Sequence, residues 1–368
     1  MTAGLLRFIA GQVLLHGCLT GTRLAASLLA LRDGHSAAAV GVLLALFAVS
    51  QIVLALPAGR LADRHGLMLP VRCSVAAAVL GAASAALMPT FAVLCAAALA
   101  TGAATVTALV AIQRHVGRAV TGPVQLRQVF GWLSIGTAAS NFIGPFAAGL
   151  LVDHAGPQAG SGAGYRAAFA LMAVFPLACW ALLRGTAELP NAGRDAGGAR
   201  RSALDLLREP TFRRLILVNC FLQGCWDVHT FVVPVLGVER GIGASLIGTI
   251  LGGFAVAAAL VRVVLPLVAA HVREWAVLAG AMLAAAAIFG LYPLTTSALG
   301  MGVCSVLLGL ALGMVQPMVM SMLHQITPAQ RHGEAIGLRL MAINASSVAM
   351  PLLFGSAGAV IGIGGVFW

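Results

Sequence analysis

Gly59-Arg60-Leu61-Ala62-Asp63-Arg64-His65-Gly66 is dense in charge and glycine, yet it lies between two long apolar runs, 36–58 and 70–88. A polar stretch this short between runs of bilayer length reads as a tight, charged turn joining two membrane helices, since a span needs about 20 mostly apolar residues. The same pattern continues outward in both directions. Eleven such runs occur, at 5–30, 36–58, 70–88, 91–113, 128–152, 165–183, 213–236, 244–268, 275–294, 297–323 and 335–360. None shows the period-two alternation that a lipid-embedded barrel requires. Composition agrees: 60% of the 368 residues are hydrophobic and 9% charged, against about a quarter charged in a soluble domain, and the mean hydropathy is +0.98. The predicted fold class is all-α, a polytopic membrane protein with eleven spans.

The net charge of +11 does not point to nucleic acid. All 22 basic residues are arginine, and their placement follows the excess of positive charge that marks cytoplasmic loops. With the N-terminus inside, the inner loops and helix edges hold Arg7, Arg60, Arg64, Arg72, Arg114, Arg118, Arg127, Arg184, Arg194, Arg200, Arg201, Arg208, Arg213, Arg214, Arg273 and Arg331. Outside are Arg32, Arg166 and Arg240, while Arg23, Arg262 and Arg339 fall within spans. Sixteen against three predicts a cytoplasmic N-terminus in a bacterial-style inner membrane. The first run is too long for a signal peptide and carries Gln12, His16 and Arg23 where a signal core is apolar. The 7 cysteines lie in or beside apolar runs without metal-ligand spacing, so they read as packing residues.

The chain repeats itself. Gly41 with Phe47-Ala48-Val49 matches Gly248 with Phe254-Ala255-Val256, and Gly131, Pro145 and Gly149 match Gly337, Pro351 and Gly355. The two offsets, 207 and 206, differ by one residue and relate helices 2 to 8 and 5 to 11. Between the halves lies the longest polar stretch, 185–212, whose segment Ala203-Leu204-Asp205-Leu206-Leu207-Arg208 has the composition of an interfacial amphipathic turn. The predicted organisation is a six-helix bundle over 1–184, a cytoplasmic linker over 185–212 and a second bundle over 213–368. Projecting the offset back from residue 368 gives 161, ahead of the sixth run, so the second bundle is expected to hold five helices, with the twelfth span missing.

The spacing of Gly59, Leu61, Asp63, Arg64 and Gly66 resembles the signature loop between helices 2 and 3 of major facilitator superfamily transporters. The resemblance implies two six-helix halves related as parallel repeats, a missing helix that is peripheral, and a carrier that rocks its halves about a midplane site. It also implies that Asp63 meets the positive end of helix 11 and holds the cytoplasmic side closed. Leu67 and Met68 stand where the family often has basic residues, which removes that anchor. Run 5 resembles the family's antiporter motif through Gly131, Gly144, Pro145 and Gly149, with Ser140 and Ala148 in place of glycines. Small residues let helices approach closely and proline kinks the rod; in the family this motif is associated with exporters.

Ionisable groups inside spans cost about 2.5–3.5 kcal/mol each on insertion scales, so they mark function by default. Arg23 in run 1 and Asp227 in run 7, the only deep carboxylate, are expected to form a pair that reads an anionic substrate or exchanges a proton. A permanent salt bridge between the halves is the structural alternative. His16, Gln223, His229, Gln316 and Asn344 are further candidates for the pathway; Arg262 and Arg339 are expected to snorkel or to bond inner loops. Run 4 has no central arginine and run 1 no acidic residue, which departs from proton-driven drug exporters. No phosphate-binding loop, nucleophile constellation or metal-ligand cluster occurs in the sequence. The expectation is a monomeric, non-enzymatic secondary transporter without cofactor or metal. Its partners are the lipid bilayer, protons and a small organic molecule, and its direction is efflux. Uptake of an organic anion by symport, and a non-transporting membrane sensor or assembly protein, are the alternatives.

Overall fold

A computed structural model describes residues 3–35, 37–120, 122–155, 162–189, 203–240, 242 and 244–361. Among these residues the chain is helical and contains no strand. The helices are α1 (Ala3–Arg32), α2 (Ala37–His65), α3 (Met68–Leu87), α4 (Phe91–Arg118), α5 (Pro123–His154), α6 (Gly162–Leu183), α7 (Pro210–Glu239), α8 (Ala244–Val268), α9 (Glu274–Leu291), α10 (Ala298–Gly313), α11 (Val315–Ile326) and α12 (His332–Ile361). Each of the eleven predicted runs is helical. The twelfth helix arises because run 10 is broken at Met314 into α10 and α11, and α12 is run 11. Among the described residues eight helical stretches, with Ala298–Ile326 counted as one, are long and apolar enough to cross a membrane, and Thr249–Leu265 is a shorter apolar helix. The amphipathic segment is the 3-10 turn Ala203–Arg208; linker residues 190–202 lie outside the described set.

One expectation is corrected. The charged stretch is not a turn along its length: α2 continues through His65, so Arg60, Asp63 and Arg64 stand on its last two turns. The reversal is confined to Gly66, whose φ of 73° lies in the left-handed region. Its N–H donates to the Ala62 carbonyl at 2.9 Å, closing the helix with a left-handed C-terminal glycine. A charged helix end was misread as a loop because polar residues raise loop propensity, whereas helical hydrogen bonding persists to the first obligatory positive φ.

Packing divides the chain into two compact units. The first joins Met1–Val120, Gly136–Ala203 and Thr327–Met341; the second joins Thr121–Ile135, Leu204–Ile326 and Ala342–Trp368. Thus the start of α5 belongs with the second unit and the start of α12 with the first. Within the first unit α2 packs on α4, α3 on α4 and α6, and α1 on α6; within the second, α8 packs on α10.

The internal repeat is visible in a matched pair of close backbone contacts. A Cβ on Gly102 of α4 would run into the Phe47 carbonyl of α2, and one on Gly309 of α10 into the Phe254 carbonyl of α8. Both partners of the second contact stand 207 residues after those of the first. Small residues permit this approach between helices in lipid, where the gain comes from van der Waals packing. Large apolar side chains point outward instead: Leu80 is 70% exposed, Leu283 74% and Leu299 79%, as expected where hydrocarbon is the solvent.

Candidate functional site

The signature stretch builds a charged node at one end of the first unit. α12 begins at His332, and its first N–H groups have no partner within the helix. The Asp63 carboxylate supplies one: Gly333 N–H donates to Oδ1 and Glu334 N–H to Oδ2, both at 2.9 Å. Arg114, on the last turns of α4, donates its Nε to Asp63 Oδ1 at 2.6 Å and Nη2 to the Asp63 carbonyl at 3.4 Å. A negative charge here is stabilised by the positive end of α12 as well as by the guanidinium. Glu334 in turn takes Arg60 Nε at 3.1 Å and Arg331 Nε at 2.7 Å.

Backbone proximity makes the node possible. A Cβ on Gly59 would collide with the Gly333 carbonyl, one on Gly333 with the Gly59 carbonyl, and one on Gly337 with the Ala55 carbonyl. Gly59 is therefore required for closeness rather than for reversing the chain. Arg64, predicted as a gating residue, is exposed on the last turn of α2, and the ion pair to Glu334 comes from Arg60. The loss of basic residues at Leu67 and Met68 is offset differently. Glu188, just past α6, accepts from Leu67 N–H at 2.9 Å and Met68 N–H at 2.6 Å, so a linker carboxylate caps the start of α3.

A related node in the second unit was not legible as a motif. Glu274, the first residue of α9, receives Arg127 Nη1 at 2.7 Å from the first turns of α5, while Arg127 Nε donates to the Ala269 carbonyl at 2.7 Å. Ser321 and Gln325 of α11 donate to the same Glu274 oxygen at 2.9 and 2.8 Å. The α2–α3 corner thus holds the start of α12, and the α8–α9 corner the start of α5, as a six-helix repeat requires. The available signal was a carboxylate at the start of α9 and an arginine at the start of α5.

Deeper in the first unit, α1 and α5 share a polar seam. Gln12 Nε2 donates to Thr137 Oγ1 at 2.7 Å, His16 Nδ1 and Ser140 Oγ are 2.6 Å apart, and Thr20 Oγ1 donates to the Ser140 carbonyl at 3.0 Å. Gly144 of the helix 5 motif touches the Gly17 carbonyl and Thr20 Oγ1, so any side chain there would separate the helices. Gly149 is less constrained, since an added Cβ would meet only Leu24 Cδ2 at 3.9 Å. Pro145 is half-buried between them. Arg23 stands further along α1, exposed.

The second unit has a counterpart seam. Asp227 of α7 accepts from Ser347 Oγ of α12 at 2.8 Å and from Gln223 Nε2 at 3.2 Å. Asp227 follows Thr20 by 207 residues, and Ser347 lies one residue past the counterpart of Ser140 at the 206-residue offset of these helices. A carboxylate therefore occupies the place where the first repeat uses a hydroxyl, although a hydroxyl is enough to join the helices. His229 is drawn elsewhere: it is fully buried, stacked on Phe254 with centroids 4.1 Å apart, and its Nε2 lies 2.9 Å from Ser305 Oγ. Ser305 Oγ is 2.8 Å from Tyr292 OH, which makes this a packed core network. Gln316 on α11 and Asn344 on α12 are half-buried. Arg262, expected to snorkel, bonds within the bundle instead, its Nε donating to the Gly313 carbonyl at 3.1 Å. Among the described residues no group of three or more His, Cys, Asp or Glu could hold a metal.

Solved structures similar to this chain include transport proteins. The human organic anion transporter MFSD10 (TETRAN) is 19% identical with a TM-score of 0.77, covering 100% of this chain and 96% of its own. The E. coli fucose:proton symporter FucP is 14% identical with a TM-score of 0.80, covering 100% and 95%. A bacterial homologue of the iron transporter ferroportin is 17% identical with a TM-score of 0.69, covering 98% of both chains. Comparison with curated proteins returns no matching relative. The sequence model of the Major Facilitator Superfamily matches residues 9–351, and with the helical repeat, the Asp63 node and its partner helix in place, the chain belongs to that superfamily of membrane transporters.

Proposed function

We propose that this chain is an alternating-access carrier that exports a small organic molecule in exchange for protons, working as a monomer in a bacterial-style inner membrane with its N-terminus in the cytoplasm. The observation that carries the reading is the Asp63 carboxylate, held at once by Arg114 and by the Gly333 and Glu334 N–H groups of α12. Such a bond set is strong when closed, and each donor is one that water can satisfy when it opens. That suits a gate better than a permanent apolar seam. Asp227 is the proton-exchanging group, because it replaces a hydroxyl position of the repeat and hydrogen-bonds only neutral side chains among the described residues. Arg23 is the group that meets a substrate anion, with His16, Gln223, Gln316 and Asn344 as polar contacts along the pathway. Export rests on the α5 motif, whose Gly144 sits against α1 as close helix contact demands.

Everted membrane vesicles with an acidic lumen test the direction. A proton exchanger accumulates a labelled organic solute in the lumen as protons leave, and collapsing the gradient releases it. Accumulation only when the lumen is alkaline favours the second reading, symport of an organic anion. That reading is supported by the spans' cationic residues, Arg23 and Arg262, and by the fold shared with an organic anion transporter and a fucose:proton symporter. Flux unaffected by either gradient removes proton coupling.

A further inference from the structure

Two buried arginines near the ends of the spans pair with carboxylates: Arg114 with Asp63 and Arg127 with Glu274. Arg262 differs. It lies on α8 six residues before Val268, about 9 Å along the helix from its C-terminal end. Among the described residues no carboxylate forms an ion pair with it. Only its Nε is engaged, by the Gly313 carbonyl, so its terminal amino groups have no hydrogen-bond acceptor among the described residues. The guanidinium carbon sits 5.6 Å over the Trp226 ring of α7, and Trp226 is itself fixed edge-on against Phe254 at 4.4 Å.

The position is built. The Gly313 carbonyl is at the break between α10 and α11, where the regular helical acceptor pattern ends. α8 and α10 touch there by backbone, since a Cβ on Gly313 would approach the Ala258 carbonyl oxygen to 2.8 Å. One side of the guanidinium is thus pinned by a carbonyl, one face covered by an indole, and its forked end left half-buried. Interrupted spanning helices are where many carriers bind their cargo. Asp227 follows Trp226 in sequence, but its carboxylate is taken by Ser347 and Gln223.

We propose that Arg262, backed by Trp226 and the Gly313 carbonyl, is an anion-binding subsite that takes the carboxylate of an organic acid through its two terminal amino groups. This rests on the transport reading and names a substrate class for it. An oxyanion here could also belong to a lipid headgroup. The helix argues for the solute: Val256, Leu260, Val263, Val264 and Leu267 are the exposed apolar stripe of α8, and Arg262 is about 140° round the helix from its centre at 100° per residue. Unlike the paired arginines, this cation has no carboxylate partner among the described residues, and its planar fork suits a carboxylate better than a point charge would.

Equilibrium binding to the purified protein in phosphatidylcholine nanodiscs tests the assignment, with 1-naphthoate as probe and the uncharged 1-naphthamide as its match. The acid is expected to bind the wild type, and R262Q to weaken it about 10-fold or more while leaving the amide unchanged. R262K, which keeps charge but loses the fork, should fall between; it serves as the readout if R262Q does not fold. Equal naphthoate affinity in wild type and variants, or no naphthoate binding by the wild type, overturns the subsite. Phosphatidylglycerol that displaces naphthoate from wild type would assign the arginine to lipid and overturn it also. Gradient-driven flux in vesicles is a separate measurement, so loss of this subsite and loss of the transport reading are told apart.

Discussion

Replacing Asp63 by Asn isolates the charge at the node, because the side chain keeps its shape and one acceptor oxygen. The carboxylate is 9% exposed and its partner Arg114 3%, so solvent screens the pair little. Removing one partner of a buried ion pair costs about 3–5 kcal/mol. The remaining amide oxygen retains about 1 kcal/mol of neutral hydrogen bonding to one donor, while its NH2 faces the other N–H without an acceptor. The net loss from the closed arrangement is about 2–4 kcal/mol, which raises the opening constant about 30- to 900-fold. Gly333 and Glu334 N–H, at the start of α12, report it through hydrogen exchange, since Asp63 is their acceptor. Exchange of the peptide spanning them should accelerate by that factor in Asp63→Asn. A control peptide at the Ser297-capped start of α10 should not change. Unchanged protection at 333–334, or equal acceleration in the control, would refute the claim that this carboxylate holds the start of α12. Turnover should fall more than substrate affinity, because the perturbed bonds lie far from the solute.

Gly59→Ala should disrupt the same node, since its Cβ meets the Gly333 carbonyl, whereas Gly149→Ala should leave thermal stability within about 0.5 kcal/mol, its space being open to 3.9 Å; matched melting curves check the contrast. Glu188→Gln should lower stability by about 1–2 kcal/mol and loosen the start of α3, read as faster exchange at Leu67 and Met68; no change would mean that the linker carboxylate is incidental. Asp227→Asn should leave a folded protein whose transport no longer varies with the pH gradient, and a retained pH dependence would remove Asp227 from the coupling.

The membrane class and the helices were legible because lipid imposes them locally: run length and repeated glycine spacing each report a constraint carried by a short stretch. Phe47 and Phe254 announced the repeat for this reason, and Asp63 was found because its neighbours form a recognisable pattern. The sites themselves depend on which side chains meet across many residues, and no local pattern records that. Arg114 and Glu188 complete the signature node from 51 and 121 residues away, Glu274 mirrors it without any motif, and His229 left the pathway for a core network with Ser305 and Tyr292. Arg262 is the clearest case. In the sequence it is one more arginine near a helix end; the fold sets it against an indole and a broken helix, with no carboxylate paired to it among the described residues. A charge in hydrocarbon must find its partner in three dimensions, so the local sequence announces the cost and only the packing shows how it is met.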